Sequence, residues 1–431
     1  MLQHDIRQRL FHGHVELLPQ MNEIYELELA FTETQTLDDR GLLERGAYFA
    51  AVDGTPTRHF QICAGDALYM PAGTAQKRRQ FFERNQFRTG YATHGLFPYR
   101  GKFHPQMVKG ILNTLGVRPG ERVLDPMMGS GTTLVEAALM GIDSVGFDIS
   151  PFCHFMAAAK LDGFRVPQEP LEAAMHQSAL LFRFFKQISS GSIRIGDASV
   201  DYRPLEKSHD LVEDWLQPRV WRILLLAYLD SVGFAERSTR QTPEAQFHGI
   251  LERYTFVVEK LQKAVAHIRI AVGSAVACTG DARALPLPDA SVDGVLFSPP
   301  YSFAVDYVEN DASHLRLMGI DLNDLRERMV GLRGNSVRRK FDHFAADMER
   351  VLSECSRTLR QGRQCAVVIG TNSNQLGKLF GKAPEAVEGL DELMIRICES
   401  VGMNFLRRFE RRIVGMANTM RNEDILVFKK R

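Results

Sequence analysis

Arg122-Val123-Leu124-Asp125 reads as a short strand that runs into Pro126 and then into Met127-Met128-Gly129-Ser130-Gly131. Thr132 to Met140 follows as a helix rich in leucine and alanine, and Ser144-Val145-Gly146-Phe147-Asp148 as a second strand ending in an acid. Strand, glycine turn, helix and strand in that order argue for a parallel sheet covered by helices. The rhythm resumes far downstream, with strands predicted at Ser274 to Cys278, Val292 to Phe297 and Cys365 to Ile369. Phe405 to Val414 and Asp424 to Lys429 read as two further strands joined across Gly415 to Asn422, a closing antiparallel hairpin.

Two stretches stand outside this pattern. Residues 1–90 form a mixed segment, in which Ala47-Tyr48-Phe49-Ala50 and Phe60-Gln61-Ile62 suggest short strands around the Asp53-Gly54 turn. Residues 151–275 read as a helical insertion, with amphipathic runs at Leu171 to Gln187 and Phe247 to Ala271 and both tryptophans, Trp215 and Trp221. The predicted α/β domain is then split into 91–150 and 276–431. No apolar run is long enough to cross a bilayer, and Met1 to Leu10 has no apolar core of the secretory kind. The six cysteines include no Cys-x-x-Cys pair, so neither a disulfide framework nor a zinc ribbon is indicated and a reduced, cytoplasmic protein is expected. His12-Gly13-His14 lacks further ligands, and no metal is expected.

A net charge of +1 excludes a chain that clamps nucleic acid with its whole surface. Basic residues nevertheless cluster at Lys77-Arg78-Arg79 with Arg84 and Arg88, at Arg333 with Arg338-Arg339-Lys340, and at Arg407-Arg408 with Arg411-Arg412. Each is more often a solvated face than a binding patch. Arg333 to Lys340 is the candidate loop for backbone phosphates.

Glycines between a strand and a helix let the backbone approach a ligand at the positive end of the helix. A phosphate loop needs Gly-Lys-Ser/Thr, whereas here Gly131 is followed by Thr132-Thr133; a dinucleotide loop needs a third glycine where Leu134 stands. S-adenosylmethionine carries no phosphate and needs neither device. It needs an acid near its amino group, close backbone around its methionine part and an acid for its ribose hydroxyls. Asp125 and Asp148 end adjacent predicted strands, where open parallel sheets bind ligands. Asp281, in Gly280-Asp281-Ala282-Arg283 after the third strand, is placed for the adenine amino group; Gly196-Asp197-Ala198 is a near-copy at the wrong spacing. A structural glycine turn with incidental acids explains the first loop equally well.

The sharpest signal is Ser298-Pro299-Pro300-Tyr301, directly after the strand Val292 to Phe297. Two prolines end the strand and fix a rigid loop at its carboxyl end. Such a loop offers a hydroxyl and a proline carbonyl to take the hydrogens of a planar amino group, and a ring to stack on a base turned out of its helix. Asp306 and Tyr307 suit either the lining of a base pocket or a helix start with a buried tyrosine.

These motifs resemble those of the amino-group DNA methyltransferases. Asp125 to Thr133 is similar to their cofactor motif Asp-Pro-Phe-x-Gly-Ser-Gly-Thr-Thr, with Met127 in place of phenylalanine. Asp148 with Ile149, and Asp281 with Ala282, fit their second and third motifs, and Ser298 to Tyr301 fits their catalytic tetrapeptide. Tyr99-Arg100-Gly101-Lys102-Phe103-His104-Pro105 is similar to the segment that folds over the methionine end of the cofactor. The resemblance implies a Rossmann-like class I methyltransferase fold: a seven-stranded, mostly parallel sheet with a C-terminal antiparallel hairpin. It implies S-adenosylmethionine as cofactor, double-stranded DNA with a flipped target base as substrate, and a site made of Lys102 to Pro105, Asp125, Pro126, Met127, Gly129 to Thr133, Asp148, Ile149, Asp281, Ala282 and Ser298 to Tyr301. Any restriction or defence subunit is expected to be a separate chain.

Serine in the first catalytic position favours cytosine N4, with adenine N6 the alternative. Carbon-5 methylation needs a cysteine after a proline, which this chain lacks. Methylation of guanine N2 in transfer RNA, with a similar loop usually led by aspartate, is the nearest rival, and protein glutamine methylation, usually led by asparagine, another. In a different class stands a nucleic-acid-binding protein with a vestigial cofactor site. Residues 151–275 suit a target-recognition region or a helical lid.

Overall fold

The computed structural model describes the chain apart from residues 1–9, 12, 19–20, 22, 66–89, 100, 190–212, 238–241, 301–305 and 413–421. Strands β1 (Val15–Leu17), β2 (Phe49–Val52) and β3 (Thr55–Pro56) form a small antiparallel sheet. Seven more strands, β4 (Arg122–Asp125), β5 (Asp143–Asp148), β6 (Ala275–Thr279), β7 (Val292–Phe297), β8 (Leu359–Gly370), β9 (Met403–Arg412) and β10 (Asn422–Lys430), make one sheet in the order β6-β5-β4-β7-β8-β10-β9. The pairings from β6 to β8 are parallel, whereas β10 runs antiparallel between β8 and β9. This is the mostly parallel seven-stranded sheet with an antiparallel C-terminal hairpin expected from the sequence. The strand order reverses between β4 and β7, so a crevice opens there at the carboxyl ends of the strands.

Alternation along each central strand supplies both faces of the sheet. Val123, Leu296, Val368 and Ile425 point into one core, and their neighbours Leu124, Val295, Phe297, Val367, Ile369 and Leu426 into the other. Helices α1 (Ile24–Thr36), α2 (Asp39–Arg45), α3 (Pro105–Thr114) and α4 (Thr132–Leu139) contribute to the first core. The second is closed farther along the chain by the helices Val337–Thr358 and Leu390–Ser400. β7 is buried along its whole length, as expected of an inner parallel strand covered on both sides.

The N-terminal segment shares the first core rather than standing apart from it. Glu33, wholly buried on α1, takes the Ala47 N–H at 3.0 Å and an Asn113 amide hydrogen at 2.6 Å, and Gln106 donates to the Ala47 carbonyl at 3.0 Å. Asp53 and Gly54 both have positive φ, 47° and 70°, which lets a two-residue turn follow the twist of β2 and β3. The expected strand at Phe60-Gln61-Ile62 is instead helical: Thr57 caps a turn at Arg58–Phe60 by accepting the Phe60 N–H, and Gln61–Gly65 continues it.

After β5 the chain becomes helical: α5 (Pro151–Asp162), α6 (Gln168–His176), α7 (Ser178–Ser189), α8 (Pro218–Arg237) and α9 (Pro243–Ile268). The run expected at Leu171 to Gln187 is divided at Gln177 into two helices. These helices build a third core around Trp215 and Trp221, and α5 joins it through Phe152, Phe155 and Met156. Among the described residues no helix is long and apolar enough to cross a membrane.

Candidate active site

A cavity of about 960 Å³, open mouth included, lies at the carboxyl ends of β4, β5 and β7. Its floor is the loop between β4 and α4. Gly129 and Gly131 hold φ of 48° and 77°, which other residues adopt only under strain. A Cβ at Gly131 would stand 2.8 Å from the Cβ of Ala157 on α5, so glycine is also required for the loop to pack. The loop is fixed by Met128 N–H to the Phe147 carbonyl at 2.9 Å and Gly131 N–H to the Met128 carbonyl at 2.8 Å. Pro126, Met127, Gly129, Ser130 and Thr132 line the cavity; Gly131 and Thr133 stand behind that surface, both buried. The hydroxyls of Ser130 and Thr132 are buried without a partner among the described residues. Unpartnered hydroxyls at an uncapped helix start are suited to a polar ligand.

The three motif acids take different positions. Asp148 lines the cavity, with Oδ2 accepting the Gly129 N–H and Oδ1 the Ser150 N–H, both at 2.9 Å. Burial raises its carboxyl to about 6 against these bonds. Asp125 lies beneath the loop, 1% exposed, accepting the Met127 N–H at 3.1 Å, and burial raises it to about 7. Asp281 lines the cavity beside Ala282, and its carboxylate is gripped by Arg283, whose Nε reaches Oδ1 at 2.9 Å and Nη2 reaches Oδ2 at 2.7 Å. Partial burial pulls Asp281 upward, but the Arg283 bonds hold it below the ordinary range. Ile149 lines the same wall.

Ser298, Pro299 and Pro300 enter the cavity from the end of β7. Tyr301 lies outside the described residues, as do Lys77 to Arg88 and Asp197. Tyr99, Gly101, Lys102 and Phe103 also line the cavity, while His104 and Pro105 begin α3. Lys102 donates to the His94 carbonyl at 3.0 Å, and burial lowers it to about 8. Tyr307 borders the cavity at the start of α10 (Tyr307–Asn310), and Asp306 caps that helix by accepting the Glu309 N–H at 2.9 Å. One lining acid carries no sequence signal. Asp311, at the start of α11 (Ala312–Leu317), faces the cavity and is raised to about 7 by burial and by Asp148. It falls in no motif, and only the folded chain brings it to the crevice.

The basic clusters are more engaged than their charge suggests. Arg333 donates to the buried Asp347 at 3.1 Å, which Arg283 also holds at 3.1 Å. Arg338, Arg339 and Lys340 lie not in a loop but in the first turn of the helix Val337–Thr358; Arg338 pairs with Asp342 and lies 5.2 Å from the Phe380 ring centroid. Arg408 is paired with Asp391 and Glu392, and Arg411 with Glu423. Among the described residues no group of three or more His, Cys, Asp or Glu forms a metal-binding cluster.

The sheet order and this cavity are those of a Rossmann-like domain, and the family match within it is to a methyltransferase domain. Residues 96–184 match the domain family described as UPF0020: RMKL-like, methyltransferase domain. The chain is similar to the Type II methyltransferase M.MjaII of Methanocaldococcus jannaschii, 48% identical over 73 residues, which is 17% of this chain and 14% of the relative. It is 35% identical over 81 residues to the Type II methyltransferase M.BsoBI of Geobacillus stearothermophilus, 19% of this chain and 16% of the relative. A tRNA (guanine(10)-N2)-dimethyltransferase of Methanothermobacter thermautotrophicus is 45% identical over 53 residues, 12% of this chain and 16% of the relative. The matches thus span about one-sixth of each relative's length, and those to the two Type II methyltransferases support the likeness read from the motifs.

Proposed function

We propose that this chain methylates an exocyclic amino group of a base in double-stranded DNA, with cytosine N4 favoured over adenine N6. The observation that carries the reading is that Ser298, Pro299 and Pro300 open into the cavity lined by Gly129, Asp148 and Asp281. Bound there, S-adenosylmethionine supplies a methyl group on a sulfonium sulfur. Gly129 to Thr133 would hold its methionine portion with Lys102 and Phe103, Asp148 its ribose, and Asp281 with Ala282 its adenine. Ser298 and the Pro299 carbonyl accept the hydrogens of the amino group and leave its lone pair turned toward the cavity. The two prolines hold that carbonyl in place without a backbone N–H to compete for it. Tyr301 stacks on the flipped base. Residues 151–275 serve as target-recognition region, Arg339 and Lys340 meet backbone phosphates, and a restriction subunit is a separate chain.

Transfer RNA is the second reading, favoured by the match to the tRNA guanine-N2 enzyme. Labelled S-adenosylmethionine offered with duplex DNA and with bulk transfer RNA, followed by nucleoside mass spectrometry, separates the two. N4-methylcytosine or N6-methyladenine in DNA supports the proposal and fixes the base, whereas label in RNA alone overturns it.

A further inference from the structure

Asp311 is 8% exposed, and among the described residues no hydrogen bond or ion pair reaches its carboxylate. Its own bonds are those of the backbone, to the Tyr307 carbonyl at 3.1 Å and from the Leu315 N–H at 2.9 Å. The other acids lining the cavity are engaged: Asp148 accepts two backbone N–H groups, and Asp281 is gripped by Arg283. Asp311 also borders a second cavity, of about 750 Å³ with its open mouth included. That cavity lies where Gly233 of α8 meets Phe97, Asn310 and His314. Its walls are held by the helical insertion, because Tyr254 on α9 accepts the Phe97 N–H at 2.8 Å and the His314 ring meets the Leu229 carbonyl at 3.0 Å. Tyr99, Tyr307 and Asp311 line both cavities and so form their common wall. Burial keeps the two phenols protonated, which leaves Asp311 as the group on that wall able to take up a proton. Glu309, on the second cavity alone, is paired with Arg326 at 3.5 Å.

The transfer proposed above leaves a proton to be removed. As the amino nitrogen bonds to the methyl carbon, the carbon–sulfur bond breaks and its electron pair stays on sulfur. The nitrogen carries the positive charge until one of its N–H bonds breaks, with the bonding electrons returning to nitrogen. The Ser298 hydroxyl and the Pro299 carbonyl can orient those hydrogens, but both are neutral acceptors too weakly basic to keep a proton. A carboxylate lining the same cavity is the stronger base. Burial raises Asp311 to about 7, where acid and carboxylate interchange readily at neutral pH. Its place on the common wall then gives the proton a path to water in the open second cavity.

We infer that Asp311 accepts the proton released by the methylated amino group and passes it out through the second cavity. The inference rests on the function proposed above. Asp148, Cys153, Tyr99 and Tyr307 face Asp311 on the first cavity, and Glu309 and His314 on the second. The test uses the full-length chain, labelled S-adenosylmethionine at saturation, so that Asp148 is already occupied, and duplex DNA. The native single-turnover rate should rise with pH and level off above about 7. Asp311→Asn should lower it about 10²–10⁴-fold and flatten the rise, with cofactor affinity by calorimetry within about twofold. Asp311→Ala should regain activity with added formate, which fits the space vacated, whereas Asp311→Asn should not. A flat native profile, a parallel fall in cofactor affinity or a failure of formate to rescue overturns the inference. The native profile needs no variant and stays decisive if neither variant folds. Label in RNA alone would overturn the DNA reading and move the same profile and rescue to RNA. Label in neither nucleic acid would bring down the proposed function and this inference with it.

Discussion

The Gly129 N–H donates to Asp148 Oδ2 at 2.9 Å, tying the glycine loop after β4 to the end of the neighbouring strand β5. One carboxylate thus shapes the cavity floor and faces into the cavity. Its removal should loosen the loop and withdraw the proposed ribose partner together.

Asp148→Ala is expected to weaken S-adenosylmethionine binding about tenfold or more, measured by calorimetry. The acid should also set a pH dependence. Its folded carboxyl is raised from 3.8 to about 6, so the free chain favours the protonated form. That stabilisation is complete below the ordinary carboxylate range and is lost as pH rises toward about 6. Cofactor binding should run the opposite way, strengthening across the same interval as the carboxylate forms to accept the ribose hydroxyls. Asp148→Asn should flatten both profiles, and equally steep profiles in the variant would assign the titration to another group.

Gly131→Ala should destabilise the fold by about 1–3 kcal/mol through its left-handed backbone. The contact with Ala157, at 2.8 Å for an added Cβ, acts in the same direction. Urea denaturation measures the loss, and a stability equal to the native chain's would mean that the loop relaxes freely.

Ser298→Ala should lower turnover about 10²–10³-fold while cofactor affinity stays within about twofold, because the hydroxyl acts on the acceptor amine and not on the cofactor. A parallel fall in cofactor affinity would place Ser298 in the cofactor site instead.

The arginines of 333–340 should separate by role. Arg339→Ala with Lys340→Ala should reduce the salt slope of DNA binding by about 2, as two lost phosphate contacts would. Arg333→Ala should instead lower thermal stability, because its partner Asp347 is 1% exposed and, among the described residues, would keep only Arg283 as an ion-pair partner. A change in salt slope with Arg333→Ala alone would reverse these assignments.

Much of the seven-stranded domain was legible because its signals are local. β4 and β7 fall where apolar runs end in Asp125 and in Ser298-Pro299-Pro300, and the glycine loop lies between a strand and a helix as its spacing implied. The misreadings come from competing local chemistry or from distant partners. Phe60-Gln61-Ile62 alternates like a strand, but a Thr57 cap turns it into helix. Arg333 reads as a free cation until folding brings Asp347 to it, and Arg408 until Asp391 and Glu392 arrive. Asp311 belongs to no pattern, and only the folded chain sets it beside the cavity.

The placement of β10 between β8 and β9 bears on how the molecule is assembled. Of the seven strands this is the last in chain order, yet it occupies an interior position. Until residues 422–430 are available, β8 and β9 each present an unpaired hydrogen-bonding edge, and the apolar side chains awaiting Ile425, Leu426 and Val427 remain uncovered. On a translating ribosome the parallel half can form early, but the sheet can be sealed only once residues 422–430 have emerged. That interval is when this chain is most exposed to mispairing with another copy and most dependent on chaperones.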